Sequence, residues 1–341
     1  GKSVSSVEEA LVAAEEIGYP VMIKAAAGGG GRGMRVCERS CDMAELFESA
    51  VREAKKAFDD GSVFLEKYIE DPRHVEVQIL ADEHGNMVHL YERDCSIQRR
   101  HQKIVEFTPC LSIDEFTRRN ICSDALRLAK QVNYTNAGTV EFLLDKDGNH
   151  YFIEVNPRIQ VEHTITELAC GLDIVENQIY VAEGYELGSK EIGINSQDDI
   201  KFRGAAIECR ITTENVKNNF MPDTGKLEVY KTGGGSGVRL DGGNGFTGAV
   251  ISPYFDSLLV KASTYDSSFE RARRKMVRVL KETTIEGVKT NKDFLINILE
   301  HDRFKQGNCD TTFIDKHPEL FNVTLFDDRE YKLLKFISER T

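Results

Sequence analysis

The chain has 341 residues, 40% of them apolar and 29% charged, the balance of an ordinary soluble globular protein with room for one large domain or two to three smaller ones. Its 56 acidic against 44 basic residues give a formal charge of −12, which argues against nucleic acid as the main partner, since duplex binding relies on a basic footprint. No apolar run approaches the ~18–20 residues of a membrane span and no secretory leader is visible, while eight scattered cysteines without a CxxC pair read as reduced thiols of a cytoplasmic or, in a eukaryote, mitochondrial-matrix protein.

Residues 6–17 have helical apolar spacing, with Ser6 as N-cap and Glu9 completing a capping box. A strand is expected over 21–26, a Gly-rich turn, a second strand over 34–37, an amphipathic helix over 41–58 and a strand over 63–69. This small α/β unit closes near residue 70. Strand-rich sequence follows (HVEVQILAD, GNMVHLYERD, TVEFLLD, HYFIEVN), interrupted by a helix over 114–132 and succeeded by one or two helices over 165–182. Beyond residue 200 come GAAIECRIT, KLEVYKT, GVRLD and SLLVKAS as strands and a helix over 268–281. Residues 322–341 read as a linker or terminal extension. The boundaries drawn are 1–70, 71–199, 200–321 and 322–341.

Several segments bear chemistry. In VMIKAAAGGGGRGMRV, Gly28, Gly30 and Gly33 satisfy G-x-G-x-x-G, but a β-like run follows where a dinucleotide site needs a helix. No Lys-Ser/Thr follows the glycines, so the loop is not a Walker A either. Consecutive glycines free backbone N–H groups to wrap phosphate, and Lys24 would add charge. VFLEKYIED is either an ordinary strand end or a hinge beside an adenine edge, with Glu66 and Lys67 next to it. In YERDCSIQRRHQK, Arg93, Arg99, Arg100, His101 and Lys103 concentrate positive charge, and with Gln98 they suggest an anion site.

The most informative stretch is FIEVNPRIQVEHTITE. Glu154, Asn156, Arg158, Gln160 and Glu162 alternate with Ile153, Val155, Pro157, Ile159 and Val161, so in a strand they share one face. GTVEFLLD-KDGN-HYFIEVN reads as a hairpin. Pairing Asp145 with His150 sets Glu141 opposite Glu154 and Thr139 opposite Asn156. Two carboxylates ~5 Å apart repel by about 3 kcal/mol at an effective dielectric near 20. Either one is protonated or a cation bridges them, and hard oxygen ligands favour Mg²⁺. Pro157 should divert the strand and present Arg158 and Glu162 on a loop, where Arg can clamp an oxyanion and Glu can act as a base. Arg239, after the glycine run in GGGSGVRLD, is a further oxyanion binder.

Together these segments, with AIECRITTE, SPYFDSLLVK and EGVKTN, resemble the biotin carboxylase branch of the ATP-grasp superfamily over nearly the whole chain. HTITE, RITTEN, FMPDTGKLEVY and CDTTFID-KHPELF are similar to the pyruvate carboxylases within that branch. The resemblance implies an α+β ATP-grasp fold: a Gly-loop lid subdomain, a larger antiparallel-sheet subdomain and a biotin carboxylase C-terminal region. It implies ATP contacts by Lys24, Gly30, Gly31, Glu66, Lys67, Ile69, His74, Gln98 and His101. Mg²⁺ or Mn²⁺ would lie on Glu141, Glu154 and Asn156. Bicarbonate would lie on Lys103, Arg158, Gln160 and Val161, with Glu162 as base and Arg239 stabilising the deprotonated biotin. The implied activity is that of an ATP-dependent carbon–carbon ligase.

The family's N-terminal domain and the carboxyltransferase and biotin-carrier domains are not in this sequence, and no Met-Lys-Met biotin acceptor occurs. These domains are expected partners, the parent is expected to be a homo-oligomer, and the fragment alone is expected to be impaired. Neither nucleic acid nor membrane is expected as a partner. The alternatives are the biotin carboxylase of an acyl-CoA carboxylase, or a non-catalytic nucleotide-binding or assembly module.

Overall fold

The computed structural model describes residues 2–27, 34–243, 245–323 and 336–338. The chain forms two compact units, Gly1–Asp71 and Pro72–Thr341.

In the first unit, β1 (Lys2–Val4), β2 (Val21–Ala25), β3 (Met34–Cys37) and β4 (Val63–Lys67) make an antiparallel sheet in the order β1-β4-β2-β3. Helices α1 (Val7–Ile17) and α2 (Met43–Phe58) pack on it through Ala10, Ala13, Ala14, Met43, Phe47 and Ala50, over Val21, Ile23, Val63 and Leu65. Ser6 caps α1 by accepting from the Glu9 amide at 3.2 Å. The capping box is not closed as expected: the Glu9 carboxylate accepts from the amide and hydroxyl of Ser5, at 2.8 and 2.7 Å, one residue before the cap. The start of α2 also differs, because residues 40–42 form a 3₁₀ turn before the helix begins at Met43. The glycine loop 28–33 lies outside the described residues.

The second unit is built on one eight-stranded antiparallel sheet. Its strands are β5 (Arg73–Ala81), β6 (Met87–Arg99), β7 (Gln102–Thr108), β8 (Asn136–Leu144), β9 (His150–Asn156), β10 (Ala205–Thr212), β11 (Val238–Gly242) and β12 (Leu258–Asp266). Their order is β11-β12-β10-β7-β6-β5-β8-β9. The segments expected as separate large and C-terminal regions, meeting at residue 200, therefore share a sheet: β10 pairs with β7 on one side and β12 on the other. Helix α3 (Glu115–Gln131) covers Val75, Val77, Val140 and Phe142 with Ile121, Cys122 and Ala125. The helical stretch expected over 165–182 is two helices, α4 (His163–Cys170), which starts two residues earlier, and α5 (Ile174–Ala182), separated by Gly171 in the left-handed region at φ 69°. Helices α6 (Phe269–Glu282) and α7 (Lys292–Glu300) pack against β10 and β12 through Ala272, Met276, Leu280, Phe294 and Leu295.

Among the described residues no helix is long and apolar enough to cross a membrane. The eight cysteines are free thiols. Most of the expected linker, 324–335 and 339–341, lies outside the described residues.

Candidate active site

The sheet of the second unit carries a buried polar stripe. Along β5, His74, Glu76 and Gln78 alternate with Val75, Val77 and Ile79, and the pleat sends the two sets to opposite faces. Across the ladders Glu76 lies opposite Arg93 on β6 and opposite Glu141 on β8, while Gln78 lies opposite Thr139. Glu141 in turn lies opposite Glu154 on β9, and Thr139 opposite Asn156, as the hairpin reading requires. The pairing near the turn differs from that reading. His150 pairs with Leu144, not Asp145, and a bulge at Ile153 restores the register before Glu154. Asp145 instead accepts from the Asp147 and Asn149 amides, both at 2.9 Å, and closes the turn with its side chain.

Charge in this stripe is matched donor by donor. Arg93, wholly buried, uses all five N–H groups: Glu76 at 2.5 Å, Gln78 at 2.8 Å, Thr166 at 3.0 Å, and Thr139 and Gln160 at 3.3 Å each. Lys103 Nζ divides its three among Glu76 at 2.5 Å, Glu162 at 2.6 Å and Glu141 at 3.0 Å. Glu162 Oε2 accepts from Arg210 at 3.0 Å, and Arg210 Nε reaches Glu106 at 2.7 Å. Glu162 also stands at the N-cap of α4, the positive end of that helix. Burial pushes Glu76 and Lys103 toward their neutral forms. Arg93 and Lys103 outweigh this for Glu76, as the facing carboxylates do for Lys103, so Glu76 is held well below the usual carboxylate range and Lys103 stays protonated.

Glu141 completes the centre. It takes Lys103, Gln160 Nε2 at 2.9 Å and Asn156 Nδ2 at 3.0 Å on Oε1, and His74 Nε2 lies 2.9 Å from Oε2 without a linear hydrogen bond. Burial acts to raise its pKa, but His74, Lys103 and Gln160 hold it low. The two facing carboxylates, Glu141 and Glu154, were expected to need a bound proton or a metal cation. A protein cation, Lys103 from β7, already compensates Glu141. Glu154 is exposed, with a 3.4 Å contact from Asn156, and the half-buried Asn156 offers its Oδ1, which accepts only a long contact from Arg158 at 3.3 Å among the described residues. Glu141, Glu154 and Asn156 therefore fit a divalent cation such as Mg²⁺ by donor chemistry.

The remaining predicted residues are placed as follows. Asn156 ends β9, Pro157 turns the chain, and Arg158 is exposed, its guanidinium on the Ile159 carbonyl at 3.2 Å and Asn156 Oδ1 at 3.3 Å. Gln160 is buried between Arg93 and Glu141. Lys261 donates to the Val161 carbonyl at 2.9 Å, and Arg239 is held by Glu167 at 2.5 Å and by Asp241 at 2.8 and 3.0 Å. Gln98 joins His74 Nδ1 at 2.7 Å, extending a chain Gln98–His74–Glu141.

The expected basic cluster is divided among different surroundings. Arg93 and Lys103 are in the buried stripe, Arg99 and Arg100 bind Asn219, and Arg100 and His101 form the β6–β7 turn at φ 50° and 64°. Strand alternation and a two-residue turn separate residues that are adjacent in sequence.

In the first unit, Lys24 and Glu66 form an ion pair at 2.5 Å, Lys67 donates to the Gly18 carbonyl at 3.0 Å, and Ile69 is buried. Gly30 and Gly31 lie outside the described residues. Glu76, Glu106, Glu208 and Arg210 were not among the residues singled out in the sequence. The signal that reveals Glu76 is the polar alternation of HVEVQ, and AIECRIT carries the same signal for Glu208 and Arg210.

Residues 1–190 match the family described as "Carbamoyl-phosphate synthase L chain, ATP binding domain", and residues 208–316 match "Biotin carboxylase C-terminal domain". The biotin carboxylase domain dimer of Hydrogenobacter thermophilus 2-oxoglutarate carboxylase, solved with MgADP, ADP and bicarbonate, superposes with a TM-score of 0.88 at 45% identity, covering 95% of this chain and 70% of that one. This chain belongs to the biotin carboxylase family. Within it the sequence sits with the pyruvate carboxylases: that of Pichia angusta is 55% identical over 336 residues, 98% of this chain and 28% of the relative. A Rhizobium etli pyruvate carboxylase solved with the allosteric activator acetyl coenzyme-A gives a TM-score of 0.89 at 47% identity, covering 98% of this chain and 30% of that one. The chain thus spans less than a third of the length of the pyruvate carboxylases it matches, and its fold is that of the ATP-grasp biotin carboxylases.

Proposed function

We propose that this chain performs the biotin carboxylase half-reaction of a pyruvate carboxylase: MgATP-dependent activation of bicarbonate and carboxylation of biotin, for later transfer to pyruvate giving oxaloacetate. The observation that carries this reading is Glu162, a buried carboxylate fixed by Lys103 at 2.6 Å and Arg210 at 3.0 Å. Lys103 ties it to Glu141, which faces Glu154 across the β8–β9 ladder, and the exposed Arg158 precedes it on the segment after Pro157. It is a base held still by two cations, one of which it shares with the hard-oxygen residue Glu141.

Each residue then has a task. Arg158 binds and orients bicarbonate, and Lys103 exchanges one of its three carboxylate partners for the anion, with Gln160 as a further donor in a low-dielectric site. Glu162 takes the bicarbonate proton onto its carboxylate. The bicarbonate oxygen attacks the γ-phosphorus of ATP, ADP departs, and carboxyphosphate forms. Its breakdown gives CO₂ and a phosphate that removes the ureido proton of biotin. Glu141, Glu154 and Asn156 would hold the divalent ion, which supplies neutralisation of phosphate charge when bound. Biotin, presented by another domain, supplies the nitrogen that takes up CO₂, and Arg239 would hold its oxygen with a fixed positive charge.

The experiment is bicarbonate-dependent ADP release with free biotin, compared between the chain and Glu162→Gln. The variant should lose release at least 100-fold, the typical share of a general base, while still binding MgATP. Equal turnover would refute the role of Glu162. A chain that binds nucleotide without any turnover would instead be a binding module, and one that binds none would be left with an assembly role.

A further inference from the structure

Two buried carboxylates take no part in that reaction. Glu106 on β7 and Glu208 on β10 are directly opposite each other in the ladder, and both are wholly buried. Side chains so paired have Cβ atoms about 4.5–5.5 Å apart. Each has one oxygen satisfied and one without any protein donor. Glu106 Oε1 receives Arg210, and Glu208 Oε2 receives the hydroxyls of Thr164 and Ser263, whereas Glu106 Oε2 and Glu208 Oε1 receive nothing. A buried oxygen left without a donor is costly, and two like charges on opposed strand positions add to the cost.

One proton resolves both. Placed on Glu208 Oε1 it becomes a donor to Glu106 Oε2, which removes one charge and satisfies both bare oxygens. Glu208 is the carrier because its other oxygen faces only neutral hydroxyls, while Glu106 is met by the Arg210 cation. We propose that Glu106 and Glu208 hold a single shared proton, and that this acid pair is a positioning device that keeps Arg210 committed to Glu162. With both carboxylates ionised, Arg210 would face two further negative charges on its own side and be drawn off Glu162. The role assigned to Glu162 rests on the reaction proposed above; the shared proton does not.

The electrostatics agree. Burial raises Glu208 to about 8, with Glu106 adding to the effect and Lys261 and Arg210 opposing it. Burial pushes Glu106 upward too, with Glu162 adding to the rise, but Arg210 and Lys103 pull it back, so the proton belongs on Glu208. A carboxyl with a folded pKa above its unfolded one destabilises the native state progressively as pH climbs from the unfolded value to the folded one. For this pair that window runs from about pH 4.5 to about pH 8.

The test is Glu208→Gln, whose amide keeps the same geometry with a carbonyl for Thr164 and Ser263 and an N–H for Glu106 but has no proton to lose. Thermal melts of the 341-residue chain and the variant from pH 5 to 9 should diverge. The melting temperature of Glu208→Gln minus that of the parent should rise between pH 5 and 8 and then level off. Glu208→Ala should fall below the parent throughout, so the conservative variant alone rescues. Infrared spectra at pH 6 should show a protonated buried carboxyl that the Gln variant lacks. A melting difference that stays flat with pH, or no protonated carboxyl at pH 6, would overturn the shared proton. Neither readout needs turnover, so failure of the proposed reaction leaves this test intact.

Discussion

Replacing Lys103 with methionine tests the central claim that a protein cation holds the acidic stripe together. Methionine keeps the length and apolar stem of lysine and removes only the ammonium. Three buried carboxylates then lose a partner: Glu76 from 2.5 Å, Glu162 from 2.6 Å and Glu141 from 3.0 Å. Removing one partner of a buried ion pair costs about 3–5 kcal/mol. Three such losses do not sum, because Glu76 keeps Arg93, Glu162 keeps Arg210 and Glu141 keeps His74, Gln160 and Asn156. The expected total therefore stays at about 3–5 kcal/mol, a drop of roughly 6–20 °C in melting temperature for a unit of this size.

The pH dependence has a fixed sign. Glu76 and Glu141 are held below their unfolded values, so they contribute stability that is present above about pH 4.5 and lost as pH falls through the folded values. Without Lys103 that contribution shrinks, and the deficit of the variant should be largest near pH 7 and smaller near pH 4.5. Urea or thermal melts at the two pH values, in low and high salt, measure it. The deficit should change little with salt, since the pairs are buried. A loss below about 1 kcal/mol at pH 7, the worth of an exposed pair, would refute the reasoning.

Two further outcomes are expected. Glu154→Gln, an exposed residue with one weak contact, should leave stability within about 0.5 kcal/mol, yet weaken the Mg²⁺ dependence of nucleotide binding in titrations with and without the metal. Ser6→Ala should destabilise the first unit by about 1 kcal/mol through loss of the α1 cap, read by thermal unfolding, with no effect on Mg²⁺ dependence.

Much of the fold was legible because its elements advertise themselves. The α1 cap, the β2–β3 and β8–β9 pairs, and the break of the chain at Pro157 follow from periodicity, capping chemistry and proline sterics, which are local. The pairing of Glu141 with Glu154 was equally available, since a hairpin couples residues only a few positions from their turn. The bulge at Ile153 was not: it inserts one residue into an edge strand and leaves no mark in the alternation pattern.

The sequence by itself determined the α+β class, the acidic–amide–Arg character of residues 154–162 and the family, because these depend on residue order along short stretches. Which charge answers which was decided only by the tertiary structure. Glu141 meets Lys103, 38 positions away, and Glu162 meets Arg210, 48 positions away, through the strand order β10-β7-β6-β5-β8. The same order splits the basic run of residues 93–103 between core, turn and site, and sets Glu106 against Glu208. Strand order is fixed by which apolar faces α3 and α6 must cover, a global packing condition that no local spacing records.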